Sequence, residues 1–311
     1  MIHQPSIGVQ LPTVDGFRTG NFDIRPVARQ AEELGFDSVW VGDHLAFDTP
    51  ILESVVAAAT AAAVTERVAI GLGVMQAALR HPAWIAKQLG ALQVVSGHRI
   101  QFGVGVGGNF AAEWHAVGVP VGERGIRTDA ILRALPALLS GEATTLPVPW
   151  STTVPPLAPP APLPPLWVGG RAQATLQRAV RHGAGWLSLW TDPPALRSAA
   201  EAMTALAQAS GKPLPPVGTM VLVNPAADTT RGETEMTTFM EEVYGIPFAR
   251  IRRWALTGSE DALVAGLRPL IDAGASTVVL IPAVRDTLAA LPALGRVAAQ
   301  LRRLRVRAPA G

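Results

Sequence analysis

The sequence predicts an α/β fold, a (β/α)8 barrel of the TIM type, and three observations support that fold class. Eight short apolar runs alternate with stretches of helical periodicity along the chain. The runs are apolar almost throughout, as strands are when helices cover a parallel sheet. Eight such units fit a closed barrel that takes up residues 1–311 as one domain, with an open doubly wound sheet as the alternative.

The predicted elements alternate in the order strand, helix, strand. The strands are expected at 6–11, 38–41, 68–74, 100–106, 166–168, 186–189, 217–223 and 277–281. The helices are expected at 24–34, 51–64, 82–95, 127–139, 172–182, 194–209, 229–243 and 259–273. One more helix, expected at 286–305, closes the barrel's edge or joins a partner chain.

The helix predicted at 82–95 shows how the boundaries are chosen. Pro82 suits the first turn, because its missing N–H group would have no partner there. The apolar residues expected to share its buried face are Ile85, Leu89, Leu92 and Val95. The Ser96-Gly97 pair is expected to end this helix.

A proline-rich segment, residues 146–165, interrupts the alternation between the fourth and fifth strands. Nine of its twenty residues are proline, so a helix or a central strand is implausible there. We expect an extended insertion that serves either as part of a rim or lid of the barrel or as an inert linker.

Composition and charge exclude several classes of protein. Hydrophobic residues make up 49% of the chain, enough for a large core, so disorder is not its main state. No uncharged apolar run is long enough to span a bilayer and the N-terminus lacks a secretory pattern, so we expect a cytoplasmic protein without a membrane partner. The formal charge is only +2, and no aromatic-rich basic motif accompanies it, so nucleic acid is not an expected partner.

The absence of certain residues and motifs limits the chemistry. The chain has no cysteine, which excludes a thiol nucleophile and means that redox chemistry needs a cofactor. No metal-ligating motif and no Walker loop occur, so no metal site is expected. The glycine-rich run at 103–108 lacks the downstream acidic residue of a nicotinamide-binding fold.

The residues that follow the predicted strands are the candidates for a functional site, because barrel enzymes bind their substrates at the carboxyl ends of the strands. His44 follows the second strand, and its imidazole can act as an acid or a base. A structural role is the alternative for this histidine. Glu113 is the carboxylate nearest the glycine run and is a candidate proton donor or relay, with a surface role as its alternative.

Glycines at two strand ends suggest places where a ligand approaches the backbone. Gly105, Val106, Gly107 and Gly108, followed by Asn109, come at the end of the fourth strand, where a flat ligand has room. Gly169, Gly170 and Arg171 lie between the fifth strand and a helix, where N–H groups and a positive charge can bind a phosphate. The alternative for the second set is a tight turn.

Several blocks of this sequence resemble the bacterial luciferase-like superfamily of flavin- and deazaflavin-dependent oxidoreductases. The blocks are AEELGFDSVWVGDH at 31–44, RHP at 80–82, SGHR at 96–99, the GVGVGGN run that ends at Asn109, ERGIRTD at 123–129, LWVGGR at 166–171 and the stretch 258–282. The resemblance spans most of the chain and implies an enzyme with a noncovalent flavin-type cofactor and a small-molecule substrate.

The resemblance also implies roles for individual residues. Gly73, Val74, Met75 and Gln76 match a bulge that backs the cofactor ring and often holds a non-proline cis peptide, with an ordinary strand end as the alternative. We therefore predict a cis peptide between the first two of these residues. The resemblance places His44 beside the ring and the cofactor phosphate on the turn that begins at Gly169.

Charged residues after the glycine run are further candidates. Arg124 or Arg127 would bind phosphate, or else Asp129 would pair with one of these arginines at the helix start. Trp84, Trp114, Trp186 and Trp190 are candidates either for packing or for ligand stacking.

The Asp43-His44 pair and the ERGIRTD block look most like the deazaflavin branch, whose coenzyme is F-420, and this implies hydride transfer. Where many members of that branch carry an aromatic residue, this chain has Gly108-Asn109. One alternative is a monooxygenase that uses oxygen and reduced FMN, with the reduced FMN supplied by a separate reductase. The other is a noncatalytic flavin-binding protein. A homodimer is compatible with each of these.

Overall fold

Eight parallel strands close into a barrel, which confirms the predicted fold class. The computed structural model describes residues 2–108, 110–304 and 306–307. The barrel strands are β1 (Ser6–Gln10), β2 (Ser38–Val41), β3 (Ala69–Gln76), β4 (Ile100–Gly105), β5 (Leu166–Gly169), β6 (Gly185–Leu189), β7 (Val217–Asn224) and β8 (Thr277–Pro282). Each strand pairs with the next in the chain, and β8 pairs with β1, so the open sheet is excluded.

Helices cover the outside of the barrel at the predicted places. They are α1 (Arg25–Glu33), α2 (Ser54–Ala63), α3 (Pro82–Ser96), α4 (Ala111–Ala116), α5 (Arg124–Ser140), α6 (Gln173–His182), α7 (Pro193–Ala209), α8 (Thr229–Tyr244), α9 (Glu260–Asp272) and α10 (Thr287–Arg302). The prediction missed α4, which is too short to show a helical period, and a short strand at Ala255–Thr257 that pairs with β7. In the described ranges, no helix has both the length and the apolar character needed to cross a membrane.

Large rings fill the barrel interior because small residues beside them leave room. Trp40 on β2 is fully buried and meets the ring of Trp167 on β5 edge to face, with ring centroids 6.3 Å apart. A Cβ atom on Gly71 of β3 would overlap the Trp40 ring, and one on Gly8 of β1 would lie 2.8 Å from its Nε1 atom. The glycines on both neighbouring strands thus allow the interior to reach the density of a protein core.

Helix α3 begins at Pro82 and ends at Ser96, as predicted, but one residue of its expected buried face is wrong. Val95 is 67% exposed, whereas Leu92 and Ser96 are buried. Ser96 follows Leu92 by four residues and Leu89 by seven, about two turns, so it shares their face, whereas Val95 is rotated from it by about 100°. Val95 therefore lies beside the buried stripe and faces outward.

The proline-rich segment 146–165 packs along the outside of the barrel, against α3 and α5. The Gln93 side-chain amide donates to the carbonyl oxygen of Pro162 at 3.0 Å. The Ala161 N–H group donates to the carbonyl oxygen of Leu139 at 2.8 Å. These contacts with two helices are not those of an inert linker.

The turn of this segment reaches the outer rim of the barrel. The Trp150 ring lies 5.8 Å from the His81 ring at the start of α3, and the Arg127 guanidinium lies 5.1 Å from the Trp150 ring. No residue of the segment lines the cavity at the barrel mouth. The segment in this structure is a strap beside the rim and does not cover the mouth as a lid would.

Candidate functional site

A cavity of about 310 Å³ opens at the carboxyl ends of the barrel strands. Its lining residues are Gln10, Val14, Gly42, Asp43, His44, Phe47, Ile51, Gly73, Val74, Gln76, Gly105, Val106, Gly107, Gly108, Gly169, Gly170, Leu189, Met220, Val243, Tyr244 and Ile281. The polar side chains among them are the Asp43 carboxylate, the His44 imidazole, the Tyr244 phenol and the amides of Gln10 and Gln76. The rest of the wall is apolar or bare backbone, which suits a ligand with a flat ring.

Strand β3 bulges where it reaches this cavity. Its register with β4 shifts at the bulge, and the peptide between Gly73 and Val74 is cis, as predicted. A Cβ atom on Gly105 would lie 2.6 Å from a methyl carbon of Val74, and one on Gly169 would lie 2.9 Å from another. The two glycines on β4 and β5 therefore leave space for the Val74 side chain.

Three of the four residues predicted at the bulge line the cavity, and the fourth does not. Gly73, Val74 and Gln76 lie on its wall. Met75 is fully buried in the core between the strands and the helices. Successive side chains of a strand point to opposite faces, so Met75 faces away from its two neighbours.

The glycines after β4 serve different purposes. Gly107 has φ +84°, and a Cβ atom there would lie 2.5 Å from the Trp114 ring. A Cβ atom on Gly108 would meet nothing within 4 Å. Room for a ligand is thus present at Gly108, whereas a protein side chain takes the space at Gly105 and Gly107. Asn109 lies outside the described residues.

Two tryptophans bind the carbonyl groups of the glycine turns on either side of the cavity. The Trp114 indole N–H donates to the carbonyl oxygen of Gly108 at 3.1 Å, and that of Trp186 donates to Gly170 at 2.7 Å. Gly170 has φ +131°, and a Cβ atom there would lie 2.9 Å from the Thr175 hydroxyl. Both tryptophans are buried, so they pack and fix the backbone and are not stacking surfaces for a ligand.

Asp43 forms a buried network below the cavity. Its carboxylate accepts two hydrogen bonds from the Arg80 guanidinium, one from the Ser54 hydroxyl and one from the Gln76 N–H group, all at 2.7 Å. Burial lowers the pKa of Arg80, but the charges of Asp43 and Glu53 outweigh it and the net pKa is raised. The network fixes the end of β2 against the end of β3.

Glu113 lies in α4 and is fully buried beneath the loop that carries His44. Its carboxylate accepts hydrogen bonds from the Leu45 N–H group at 2.6 Å and the Ala46 N–H group at 3.1 Å. The surface role considered for Glu113 is therefore excluded. The residue does not line the cavity, so it reaches a ligand only through its neighbours.

His44 connects Glu113 to the cavity. Its Nδ1 atom lies 3.2 Å from the Glu113 carboxylate oxygens and 2.8 Å from the Gln76 Nε2 atom. With a proton on Nδ1, the ring donates to Glu113; without one, it accepts from Gln76. Both tautomers have a partner, and Nε2 remains available to a ligand with or without its proton.

Aromatic side chains continue this wall, and of these the sequence analysis singled out only Trp190. Phe47 stacks on the His44 ring with centroids 4.1 Å apart, and Tyr244 meets Phe47 edge to face at 6.1 Å. Trp190 meets Tyr244 at 5.2 Å, and the Arg171 guanidinium lies 6.0 Å from the Trp190 ring. No local pattern links these residues, which come from four separate parts of the chain.

The predicted phosphate turn leads into α6. The N-cap of this helix is Ala172, whose methyl group cannot accept a hydrogen bond, so the first N–H groups of α6 have no side-chain cap to donate to. Arg171 precedes the cap and is exposed, and it does not line the mouth cavity. N–H groups and a cation are thus present beside Gly170, which does line it.

The charged residues after the glycine run do not gather at the cavity. Arg127 pairs with Glu123 at 2.9 Å, and His115 is exposed on α4. Asp129 does not pair with the arginines at the helix start, as considered; it accepts from Arg178 at 2.7 and 3.1 Å. Arg124 begins α5 and does not line the cavity.

A second cavity, larger at about 610 Å³, lies beside the first, between the segments that follow β1 and β8. The two cavities share Gln10, Val14 and Ile281. Phe17 and Phe239 contribute aromatic surface to the second cavity. These shared residues place the two cavities next to each other.

Comparison with known proteins shows relatives of both cofactor types. An uncharacterized protein of Mycobacterium tuberculosis is 30% identical over 215 residues, covering 61% of this chain and 73% of the relative. An F-420-dependent secondary alcohol dehydrogenase has a TM-score of 0.80 at 17% identity, covering 94% of this chain and 98% of its own. The oxygenating constituent of 3,6-diketocamphane monooxygenase from Pseudomonas putida, in complex with FMN, has a TM-score of 0.75 at 17% identity, covering 96% of this chain and 97% of its own.

These solved structures show the fold that the chain shares with them, whereas its family is shown by a match to a family profile. The profile of the luciferase-like monooxygenases matches residues 20–276. Members of this family are flavin- or F-420-dependent oxidoreductases and monooxygenases, which confirms the enzyme class predicted from the sequence. The chain belongs to the luciferase-like monooxygenase family.

Proposed function

We propose that this protein is a deazaflavin (F-420)-dependent oxidoreductase that transfers a hydride to or from a small apolar alcohol or carbonyl compound. The observation that carries the proposal is the His44 ring, which lines the cavity while its Nδ1 atom is held by buried Glu113 and by Gln76. Oxidation of an alcohol removes a hydride from carbon and a proton from oxygen. A histidine with two supported tautomers can take that proton or return it.

The residues present fit a flavin-type cofactor. The Val74 bulge offers an apolar surface to a planar ring, and Gly108 leaves open space beside it. The turn from Gly170 to Arg171 leads to the uncapped N-terminus of α6, which suits a phosphate. When bound, a deazaflavin supplies a hydride acceptor or donor that reacts poorly with oxygen.

His44 acts on the substrate oxygen in this proposal. Its Nε2 atom accepts the hydroxyl proton during oxidation and donates it during reduction. The positive charge that the ring then carries is stabilised by the Glu113 carboxylate, as in other histidine–carboxylate pairs. Glu113 is a positioning residue, because it touches His44 and the loop backbone but does not line the cavity.

A monooxygenase that uses reduced FMN and oxygen does not need to take a proton from a substrate alcohol. The proton path through His44 therefore favours the dehydrogenase. The resemblance of the Asp43-His44 pair and of residues 123–129 to the deazaflavin branch also favours hydride transfer. The geometry and the resemblance therefore support the same reaction class.

The test compares His44→Ala with His115→Ala, a matched control on the exposed face of α4. We expect His44→Ala to keep its melting temperature and its F-420 affinity but to lose about a hundredfold or more in turnover with secondary alcohols. His115→Ala is expected to behave as wild type. A folded, F-420-loaded His44→Ala enzyme with wild-type turnover would remove His44 from the mechanism.

A further inference from the structure

Tyr244 is the only tyrosine in the chain, and it lines the mouth cavity. It is the last residue of α8, and Gly245, with φ +60°, ends the helix directly after it. The residue takes no part in the proton path through His44 described above. Its position nevertheless brings a phenol group into a cavity with few polar atoms.

Neighbouring contacts hold the Tyr244 ring in place. Phe47 and Trp190 meet the ring edge to face, at 6.1 and 5.2 Å between centroids. The Thr49 hydroxyl donates to the carbonyl oxygen of Glu242, which ties the loop after β2 to the end of α8. The ring is thus fixed by packing on two sides.

No hydrogen bond joins the hydroxyl group to another group of the described residues, and Tyr244 is only partly buried, at the wall of the cavity. Burial raises the pKa of Tyr244 to about 12, so the phenol keeps its proton at neutral pH and can donate a hydrogen bond. Water accepts this bond in the free protein, and a ligand with an acceptor oxygen can take the place of that water.

The other polar groups of the cavity indicate what kind of ligand accepts this bond. Asp43 provides the one carboxylate of the described lining, and its oxygens accept from Arg80, Ser54 and Gln76. The described lining has no lysine or arginine, and its imidazole, His44, lies against the buried Glu113 carboxylate. A neutral, apolar molecule with an acceptor oxygen matches these walls.

We propose that the Tyr244 hydroxyl donates a hydrogen bond to the oxygen of a neutral, apolar ketone, or of the matching alcohol, bound in the mouth cavity. The identity of this ligand as substrate rests on the proposed function. Tyr244 follows β7, which lies across the eight-stranded barrel from the β3 bulge at Val74. The Val74 bulge would hold the cofactor ring on one side of the mouth and Tyr244 lies on the other side, so we assign this hydrogen bond to the substrate and not to the cofactor.

The experiment measures binding of two probes to cofactor-free protein. Acetophenone has an acceptor oxygen, whereas ethylbenzene has nearly the same shape and none. We expect Tyr244→Phe to weaken acetophenone binding about two- to twelvefold, the range for one neutral hydrogen bond, and to leave ethylbenzene binding unchanged. Equal affinities of wild type and Tyr244→Phe for acetophenone, or no acetophenone binding by wild type, would overturn the proposal.

A matched control separates the hydroxyl from the aromatic wall. Phe47→Leu removes a neighbouring ring that has no donor, and it is expected to weaken both probes alike. If Tyr244→Phe also weakens the binding of both probes alike, its effect comes from packing, and the proposed hydrogen bond is wrong.

Fluorine NMR reports on the hydroxyl directly, because incorporation of 3-fluorotyrosine labels this one position. We expect acetophenone to shift the single resonance and ethylbenzene to shift it less. A shift caused by FMN or F-420 alone, with weaker cofactor binding by Tyr244→Phe, would assign the bond to the cofactor and overturn the proposal. Failure of F-420 to bind wild type would defeat the proposed function while leaving the acetophenone result measurable.

Discussion

Removing the Asp43 carboxylate tests whether the network below the cavity supports the site. The perturbation is Asp43→Ala, which deletes four hydrogen bonds of 2.7 Å from a side chain with no exposed surface. It also leaves the Arg80 guanidinium, only 19% exposed, without its main counter-ion. The loss therefore combines unmade hydrogen bonds with an uncompensated buried charge.

The structure places the expected cost near the low end of the range for such pairs. Breaking a buried ion pair by removing one partner costs about 3–5 kcal/mol. Arg80 keeps a second acid, Glu53, at 3.4 Å, and some contact with solvent. We therefore expect Asp43→Ala to lower the free energy of unfolding by about 3 kcal/mol.

The assay is urea unfolding followed by circular dichroism, with Arg80→Met and the double variant completing a cycle. Because the two side chains contact each other, the double variant is expected to lose at least about 1 kcal/mol less than the sum of the single losses. Glu53→Ala is the control and is expected to cost about 1 kcal/mol, because it removes the cap of α2. A loss under about 1 kcal/mol for Asp43→Ala, with additive single variants, would refute the reasoning.

Three further outcomes follow from contacts and pKa shifts. Gly105→Ala is expected to cost about 1–3 kcal/mol, because its methyl group meets the Val74 side chain, and Val74→Ala in the same chain should recover most of that loss in urea unfolding. Burial raises the pKa of Tyr244 to about 12, so tyrosinate absorbance should appear near that pH in the native protein, and the stability this group contributes is lost as pH rises from about 10 through 12. Burial alone would raise the pKa of Asp129, but Arg178 holds that pKa below its ordinary value. Asp129→Asn should therefore lower the free energy of unfolding by about 1–2 kcal/mol at neutral pH. This difference should shrink as the pH falls below about 4, where the carboxylate of the unfolded chain and then that of the folded protein take up a proton.

Each of these outcomes has a control and a contradicting result. Gly108→Ala, whose added methyl group meets nothing, should stay within about 0.5 kcal/mol of wild type; equal losses at both glycines would contradict the Val74 contact. Denatured protein should show its tyrosinate near pH 10, and a native value equal to it would remove the effect of burial. Asp272→Asn in the exposed pair with Arg268 should cost little, and a cost equal to that of Asp129→Asn would remove the argument from burial.

The barrel was predictable because its evidence is local. Strands such as β2 and β8 are continuous apolar runs, and the helices between them show a period that a short window reveals. Val95 was misplaced because it stands one position before Ser96, the true member of the buried stripe. The sequence pattern favoured Val95 because it is apolar, although the polar Ser96 next to it is the buried residue.

Several residues that line the cavity could be chosen from the sequence because they follow strands, but their connections could not be predicted. His44 was chosen as a strand-end histidine and Glu113 as a nearby carboxylate, yet 69 positions separate them and only folding brings them together. Tyr244 was missed because it ends a helix in a polar stretch with no motif. The glycine at 105 was assigned to a ligand, whereas the side chain that fills its space, Val74, comes from the neighbouring strand.

Parallel titrations of the purified protein with F-420 and FMN, each followed by a panel of secondary alcohols under nitrogen, test the central claim most directly. We expect F-420 to bind with the lower Kd and to lose its oxidised absorbance band when an alcohol is added. Deuterium should then pass from the carbinol carbon of a labelled alcohol to the cofactor. Tighter binding of FMN, with product formed only from reduced FMN and oxygen, would contradict this claim.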